Sequence, residues 1–213
     1  MLGRSRSPAL TIGLQTESRM NAIATLEPAA VAVGTVQEDP LYEVVNGQKV
    51  ELPPMSIYAA WIASRIDRRL GSHAETHGLG TVIVEGVFII DPVTDLRRRP
   101  DVAFVSAANW PLDRPMPETD DWELIPDLAV EVVSPNDAFQ DVLAKMREYF
   151  RHGVKQVWIV LPVDREIYVY DSPKDPHVLT AIDELDGGTL IPGLRLPVGS
   201  LFQRQPQAVP TAS

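Results

Sequence analysis

Two acidic residues interrupt apolar runs of the kind that form buried β-strands. Asp101 opens the run DVAFV directly after Pro100, and Glu131 lies inside PDLAVEVVSP, residues 126–135. A carboxylate is costly to bury without a partner, so Glu131 should face a cationic side chain or a metal ion. The simpler alternative is a carboxylate at an exposed strand end or in a salt bridge. If the two strands are neighbours, Asp101 and Glu131 converge and supply the hard oxygen ligands that suit Mg²⁺ or Mn²⁺.

Two further acids compete for a place in such a site. Asp127 shares a strand face with Glu131 because side chains alternate along a strand. Four residues of strand span roughly 13 Å, however, which is too far for one shared ion without a bend. Glu85 interrupts TVIVEGVFIID in the same way as Glu131 interrupts its strand. It is either an additional ligand or a structural residue.

An amphipathic helix follows the strand of Glu131 and offers an amine. Lys145 falls about 40° outside the apolar stripe at 100° per residue, so its amine could swing over the buried face towards the sheet. The alternative is a solvated lysine with its stem on apolar surface. Gly153 fits the helix end. The stripe consists of Phe139, Val142, Leu143, Met146, Tyr149 and Phe150.

The remaining elements indicate an α+β, or mixed α/β, fold with a central sheet flanked by helices. Asn46-Gly47 separates two short alternating runs and predicts a type I′ hairpin. A helix is expected from Ser56 to Gly71, followed by a loop that carries His73 and His77. These two histidines, four residues apart, would bind a metal only if they were helical, and the glycines around them favour a loop.

The segment Thr81–Asp91 is predicted to form one strand.

Composition narrows the function. The 213 residues suit one domain, contain no cysteine, and carry a formal net charge of −10. The lack of cysteine favours a reducing compartment, so we expect a cytoplasmic protein. No apolar run reaches the roughly 18 residues of a membrane helix. The acidic balance argues against a general nucleic-acid coat protein but allows a local basic groove. Arginines cluster at positions 65, 68 and 69, at 97–99, and at 147 and 151.

The chain divides into three parts by composition. Residues 1–39 show no sustained periodicity and are expected to be disordered. Residues 40–202 hold the strand and helix patterns of one domain. Residues 203–213 are expected to form a flexible tail.

Several blocks together resemble a known family. The chain resembles the Uma-type restriction endonuclease family of the PD-(D/E)XK nuclease superfamily. The blocks that carry the resemblance are RRPDVAFV, PDLAVEVVSPND, and the lysine, EYF, HGV and QVWIV that follow them. YEVVNGQKVELPP is similar to the hairpin that precedes the family's core. The resemblance spans about residues 42–202.

The resemblance implies a restriction-endonuclease-like core and Mg²⁺-dependent cleavage of DNA. Its motif aspartate falls on Asp101 and its strand glutamate on Glu131, both as metal ligands. The superfamily lysine usually follows the glutamate by two residues, where this chain has Val133, so Lys145 is expected to supply the amine. A homodimer is a reasonable expectation because a duplex needs two cuts.

Two other functions fit parts of the sequence. A catalytically inactive nuclease-fold binding or assembly module would explain Val133 and the acidic balance, since a fold does not determine a function. A carboxylate-pair hydrolase acting on sugars would need an aromatic-lined cleft, and only Trp110 and Trp122, in the proline-rich segment 109–126, hint at one.

Overall fold

The fold is built around a six-stranded mixed sheet. The computed structural model describes residues 40–135 and 137–203, and the predictions for residues 1–39 and for the tail after 203 lie outside this part. The helices are α1 (Ile57–Thr76), α2 (Phe139–His152) and α3 (Val198–Phe202). The strands are β1 (Tyr42–Val45), β2 (Gln48–Glu51), β3 (Gly80–Val84), β4 (Val87–Asp91), β5 (Leu96–Arg98), β6 (Val102–Ser106), β7 (Asp121–Trp122), β8 (Leu128–Val132), β9 (Gln156–Leu161), β10 (Glu166–Tyr170), β11 (His177–Leu179), β12 (Glu184–Asp186) and β13 (Arg195–Pro197).

The central sheet has the strand order β11-β10-β9-β8-β6-β3. Its only parallel pair is β8–β9, and the other neighbours in this sheet are antiparallel. A parallel pair needs a crossover rather than a tight turn, and α2 is that crossover. The predicted strand, helix and strand of residues 126–162 are therefore confirmed.

Each face of the central sheet has its own core. Val102, Val130 and Trp158 face the side of α1, together with residues of α3. Ala103 and Ala129 point the other way and pack with Met146 and Tyr149 of α2 and with the second sheet. Alternation along β6 and β8 therefore assigns Asp101 and Glu131 to the α2 side.

A second sheet, with the order β2-β1-β5-β4-β7, begins with the predicted hairpin. Asn46 and Gly47 have φ angles of 52° and 72°, as a type I′ turn requires. The hairpin prediction is confirmed. β1 also pairs with β5 at Val44 and Arg97, so the hairpin is part of the domain's second layer.

The strand predicted over residues 81–91 is wrong, because it divides into β3 and β4. Glu85 has a φ of 50°, a backbone state that ends a strand. β3 stays in the central sheet and β4 enters the second one. The break at Glu85 and Gly86 thus links the two layers.

The predicted end of the first helix at Gly71 is also wrong. Ser56 caps α1 by accepting a hydrogen bond from the Ala59 amide, as predicted. The helix continues to Thr76 because Ala74 packs fully buried in the core, and the left-handed residue is Gly78, with a φ of 63°. The segment around His73 is therefore helical, and the predicted loop there is absent.

The predicted α+β class is confirmed by these mixed sheets and helices. Within residues 40–135 and 137–203, no helix has the length and hydropathy needed to cross a membrane.

Two glycine substitutions test the continued helix. A Cβ on Gly71 would have its nearest neighbours at 3.9 Å, whereas one on Gly80 would lie 2.2 Å from the Val105 carbonyl oxygen. Gly71→Ala should raise the free energy of unfolding by about 0.5–1 kcal/mol, because alanine is the better helix former. Gly80→Ala should lower it by about 2 kcal/mol or more through the clash. Urea unfolding of both variants measures this, and destabilisation by Gly71→Ala would contradict a helix through residue 71.

Candidate active site

The ladder between β6 and β8 brings the two predicted carboxylates together. Val102 pairs with Val130, and Ala103 pairs with Ala129. One further step in this antiparallel register sets Asp101 opposite Glu131. Side chains of directly opposed residues lie on the same face with Cβ atoms about 4.5–5.5 Å apart. The two acids, 30 positions apart in the chain, therefore converge on the α2 side of the sheet.

Asp101 is held by the backbone of the neighbouring strand. Its Oδ2 accepts a hydrogen bond of 2.5 Å from the Val132 amide. Burial, and then the negative charge of Glu131, raise the pKa of Asp101 well above its usual range, and the Val132 hydrogen bond and Lys145 offset this only in part. The pair therefore holds two ionised carboxylates only at an electrostatic cost.

Glu131 is 7% exposed and has two partners on α2. The Tyr149 hydroxyl donates a hydrogen bond of 2.7 Å to Oε1, and Lys145 Nζ lies 3.9 Å from Oε2. Burial raises the pKa of Glu131, while Lys145 lowers it by a smaller amount. Tyr149 belongs to the apolar stripe predicted from the sequence, which did not predict the role of its hydroxyl.

Lys145 reaches over the buried face of α2. Its Nζ lies 2.9 Å from Glu43 Oε1 as well as near Glu131. Burial alone would lower the pKa of Lys145, but the charges of Glu131 and Glu43 outweigh it, so the net pKa is raised. The amine is therefore a stable ammonium ion between two carboxylates.

Two more residues complete the charged cluster: Glu43, which was not predicted from the sequence, and Arg98, one of the arginines clustered at positions 97–99. Glu43 is 2% exposed and lies in β1, and Arg98 Nη1 donates to its Oε2 at 2.6 Å. Arg98 Nε also donates to Glu148 Oε2 of α2 at 2.9 Å. The signal for Glu43 was present, because it interrupts the apolar run YEVV as Glu131 interrupts its strand.

The two additional candidates, Asp127 and Glu85, do not line the cavity that Asp101 lines, although the charge of Glu85 adds to burial and to Glu131 in raising the pKa of Asp101. Asp127 accepts from the Ser106 amide at 2.7 Å and pairs with Lys155 Nζ at 2.6 Å. Burial alone would raise the pKa of Asp127, but these contacts together outweigh it and the net pKa is lowered. Asp127 is therefore a structural anchor, and it lies outside the cavity that Asp101 lines. Glu85 contributes backbone contacts, and its amide donates to the Asp101 carbonyl at 3.2 Å.

Asp101, Glu131 and Lys145 line one cavity of about 490 Å³. Val133, at the position where the superfamily lysine was expected, lines it too. The hairpin closes one side through Glu43 and residues 50–52, and Met55 continues that wall. The cavity is open enough to admit a ligand, and its charged lining residues come from β1, β2, β5, β8 and α2 and from the segments just before β6 and α2.

The donor set fits a divalent cation held mainly by solvent and substrate. In the described part of the chain, no group of three or more Asp, Glu, His or Cys side chains is arranged to hold a metal ion. Burial and then the charge of Glu131 raise the pKa of Asp101. Two converging carboxylates still suit Mg²⁺, which usually takes one or two protein carboxylates and fills its shell with water and phosphate oxygens.

The mixed sheet, its α2 crossover and this carboxylate–lysine cavity define a restriction-endonuclease-like α+β protein. The fold is similar to the crystal structure of a "putative nuclease belonging to DUF820" from Anabaena variabilis, with a TM-score of 0.67, 18% identity, and coverage of 76% of this chain and 90% of that chain. A comparison with curated proteins found no match. The sequence profile of the Uma2 family, described as "Putative restriction endonuclease", matches residues 29–199. The chain belongs to the Uma2 family, as its motifs predicted.

Asp101→Asn tests the electrostatic cost of the carboxylate pair. The raised pKa of Asp101 means that its neutral form favours folding, and that this stability is lost as the pH rises through the folded-state pKa. In a metal-chelating buffer at pH 8, the variant should have a higher free energy of unfolding than the wild type, because it lacks the charge that is costly to bury. The gain should shrink as the pH falls from 8 towards 4, since protonation of wild-type Asp101 removes the same charge. Urea titrations across this range measure it, and a loss of stability at pH 8 would contradict the assignment.

Proposed function

We propose that the protein is a Mg²⁺- or Mn²⁺-dependent endonuclease that hydrolyses phosphodiester bonds of DNA. The convergence of Asp101, Glu131 and Lys145 in one cavity is the observation that carries the proposal. One buried and one partly buried carboxylate, together with an ammonium ion, match the charge pattern needed to bring a divalent cation and a phosphate together. The family supports the same class of reaction.

Asp101 and Glu131 would hold the ion, whose chemistry is to activate water and stabilise charge on the phosphate. Asp101 is fixed for this role by the Val132 amide, and Glu131 by the Tyr149 hydroxyl. Lys145 would place its ammonium against the negative charge that develops on the phosphate oxygens. Glu43 keeps that amine within reach of the cavity.

Lys145 is proposed to replace the strand lysine of the superfamily. Val133 shares the strand face of Glu131 and lines the cavity, so an apolar side chain occupies the usual place of the amine. Lys145 approaches Glu131 from α2 instead, to 3.9 Å. The amine thus reaches the same carboxylate from a different element.

Plasmid nicking tests the assignment of residues. Asp101→Asn and Glu131→Gln should each lower the rate of Mg²⁺- or Mn²⁺-dependent nicking by at least about 100-fold. Lys145→Met should lower it by about 10²–10³-fold, as expected for the loss of one preorganised charge partner. Supercoiled DNA, with EDTA controls, gives the rates.

Asp127→Asn is the matched control, because Asp127 is a buried, ion-paired carboxylate just before β8 that does not line the cavity. It should keep nearly full activity once circular dichroism shows that it is folded. Full activity of an Asp101→Asn, Glu131→Gln double variant would overturn the proposed site. A folded wild-type protein that cuts neither DNA nor RNA with either metal would favour the inactive binding module.

Metal binding has its own expected result. Mn²⁺ should raise the melting temperature of the wild-type protein, because an ion that binds only the folded state stabilises it by mass action. Asp101→Asn should abolish most of this rise, whereas Asp127→Asn should preserve it. Differential scanning fluorimetry across a Mn²⁺ titration measures the shift, and equal shifts in all three proteins would contradict ligation by Asp101.

A further inference from the structure

The outer face of α1 carries aromatic and basic side chains and begins at the rim of the candidate active site. Met55, just before the helix, lines the cavity. The Ser56 amide donates a hydrogen bond of 3.1 Å to Ser134 Oγ, and Ser134 lines the same cavity. The first turn of α1 is therefore fixed next to the place where a substrate strand would enter or leave.

Three side chains of this face form an ordered stack. The rings of Tyr58 and Trp61 lie 5.9 Å apart at 17°, and the Arg65 guanidinium lies 4.7 Å from the Trp61 ring centre. Tyr58 is the member nearest the cavity end of α1 and is 43% exposed. A flat, exposed ring at the end of a stack is a surface on which one more flat group can be added.

Positive charge continues along the same face. Taking Tyr58 as zero and 100° per residue, Arg65, Arg68 and Arg69 all lie within about 80° of it. Asp67 lies about 180° away and Glu75 about 100° away. Within residues 40–135 and 137–203, no carboxylate forms an ion pair with these three arginines. Arg65 and Arg69 donate instead to the carbonyl and hydroxyl oxygens of Ser200.

A second cavity, of about 510 Å³, lies at the far end of this face. Arg68 and Arg69 line it together with His73, His77 and Arg195. From Tyr58 to Thr76 the helix is about 27 Å long at 1.5 Å per residue, so the face can contact several consecutive nucleotides. In a chain with a net charge of −10, this concentration of basic groups selects a polyanion.

We propose that the α1 face binds single-stranded DNA as it passes to or from the cavity, with a base on Tyr58 and phosphates along Arg65, Arg68 and Arg69. The proposal rests on the proposed nuclease function for its link to cleavage. An aromatic ring can stack only on a base whose face is exposed, which a paired duplex does not offer. The substrate class is therefore DNA with unpaired bases: a single strand, a duplex with an unpaired end or flap, or a locally unpaired stretch of a supercoiled plasmid.

Fluorescence anisotropy with the full chain in EDTA measures binding apart from cleavage. The probes are a labelled 15-nucleotide thymidine strand and a 15-base-pair duplex. The wild-type protein should bind the single strand at least about tenfold more tightly. Tyr58→Ala should weaken single-strand binding by about tenfold, and Tyr58→Phe, which keeps the ring, should restore it.

Arg68→Ala and Arg151→Ala form a matched pair, because both arginines are exposed on helices and only Arg68 lies on α1. Arg68→Ala should reduce the slope of log affinity against log salt by about 0.7, the value for one lost single-strand phosphate contact. Arg151→Ala should leave the slope unchanged. Equal slopes in both variants would overturn the proposal.

The remaining outcomes separate this proposal from the nuclease assignment. Tighter duplex binding, or Tyr58→Ala with wild-type affinity, would overturn it even if nicking depends on Asp101. The proposal would also be overturned if sedimentation showed that α1 substitutions disrupt a dimer while strand affinity stays unchanged. The α1 face would then be an interface with a second copy of the chain. If the protein binds a single strand through Tyr58 but cuts no DNA, the strand-binding proposal is supported and only the nuclease assignment is rejected.

Discussion

The structure depends on the burial of carboxylates against a small number of shared cations. Glu43 is 2% exposed and Glu131 is 7% exposed, and an isolated carboxylate in such surroundings would be strongly unfavourable. Lys145 lies between them, and Arg98 holds Glu43 from its other side. Because each cation serves more than one acid, β1, β5, β8 and α2 must keep their positions together.

This requirement explains why the second sheet is part of the site. The break at Glu85 sends β4 away from the central sheet, and β5 follows as the antiparallel neighbour of β4. β5 ends at Arg98, which bridges Glu43 of the hairpin and Glu148 of α2. The two layers are thus joined by an ion-pair network that borders the cavity, in addition to their apolar contacts.

Local rules predicted the parts of this site that follow from one element at a time. An acid within an apolar strand identified Glu131, whereas the angle of Lys145 beside an apolar stripe allowed its amine either to reach the sheet or to stay in solvent, and only the family resemblance favoured the sheet. The pairing of Asp101 with Glu131 depends on the β6–β8 register, which the sequence could support only by resemblance to a family. Glu43 was missed because a short hairpin is usually exposed, and its burial depends on Arg98, 55 positions away. The continuation of α1 past Gly71 depends on the core contacts of Ala74, which no local propensity reveals.

An amine carried by α2 has a different physical character from one carried by the strand. Its position depends on the packing of Met146 and Tyr149 against the sheet, so changes in the core would move a charge in the cavity. Within the ion-pair cluster of the described residues, four carboxylates, from Glu43, Asp101, Glu131 and Glu148, accompany two cations, Arg98 and Lys145. When all six are ionised, the cluster has a formal excess of two negative charges, and without a further cation the raised pKa of Asp101 relieves part of that excess by favouring its neutral form. A divalent cation would balance the same excess and keep both carboxylates ionised. Under the proposed function, the same excess of negative charge that destabilises the metal-free protein would favour binding of a divalent cation.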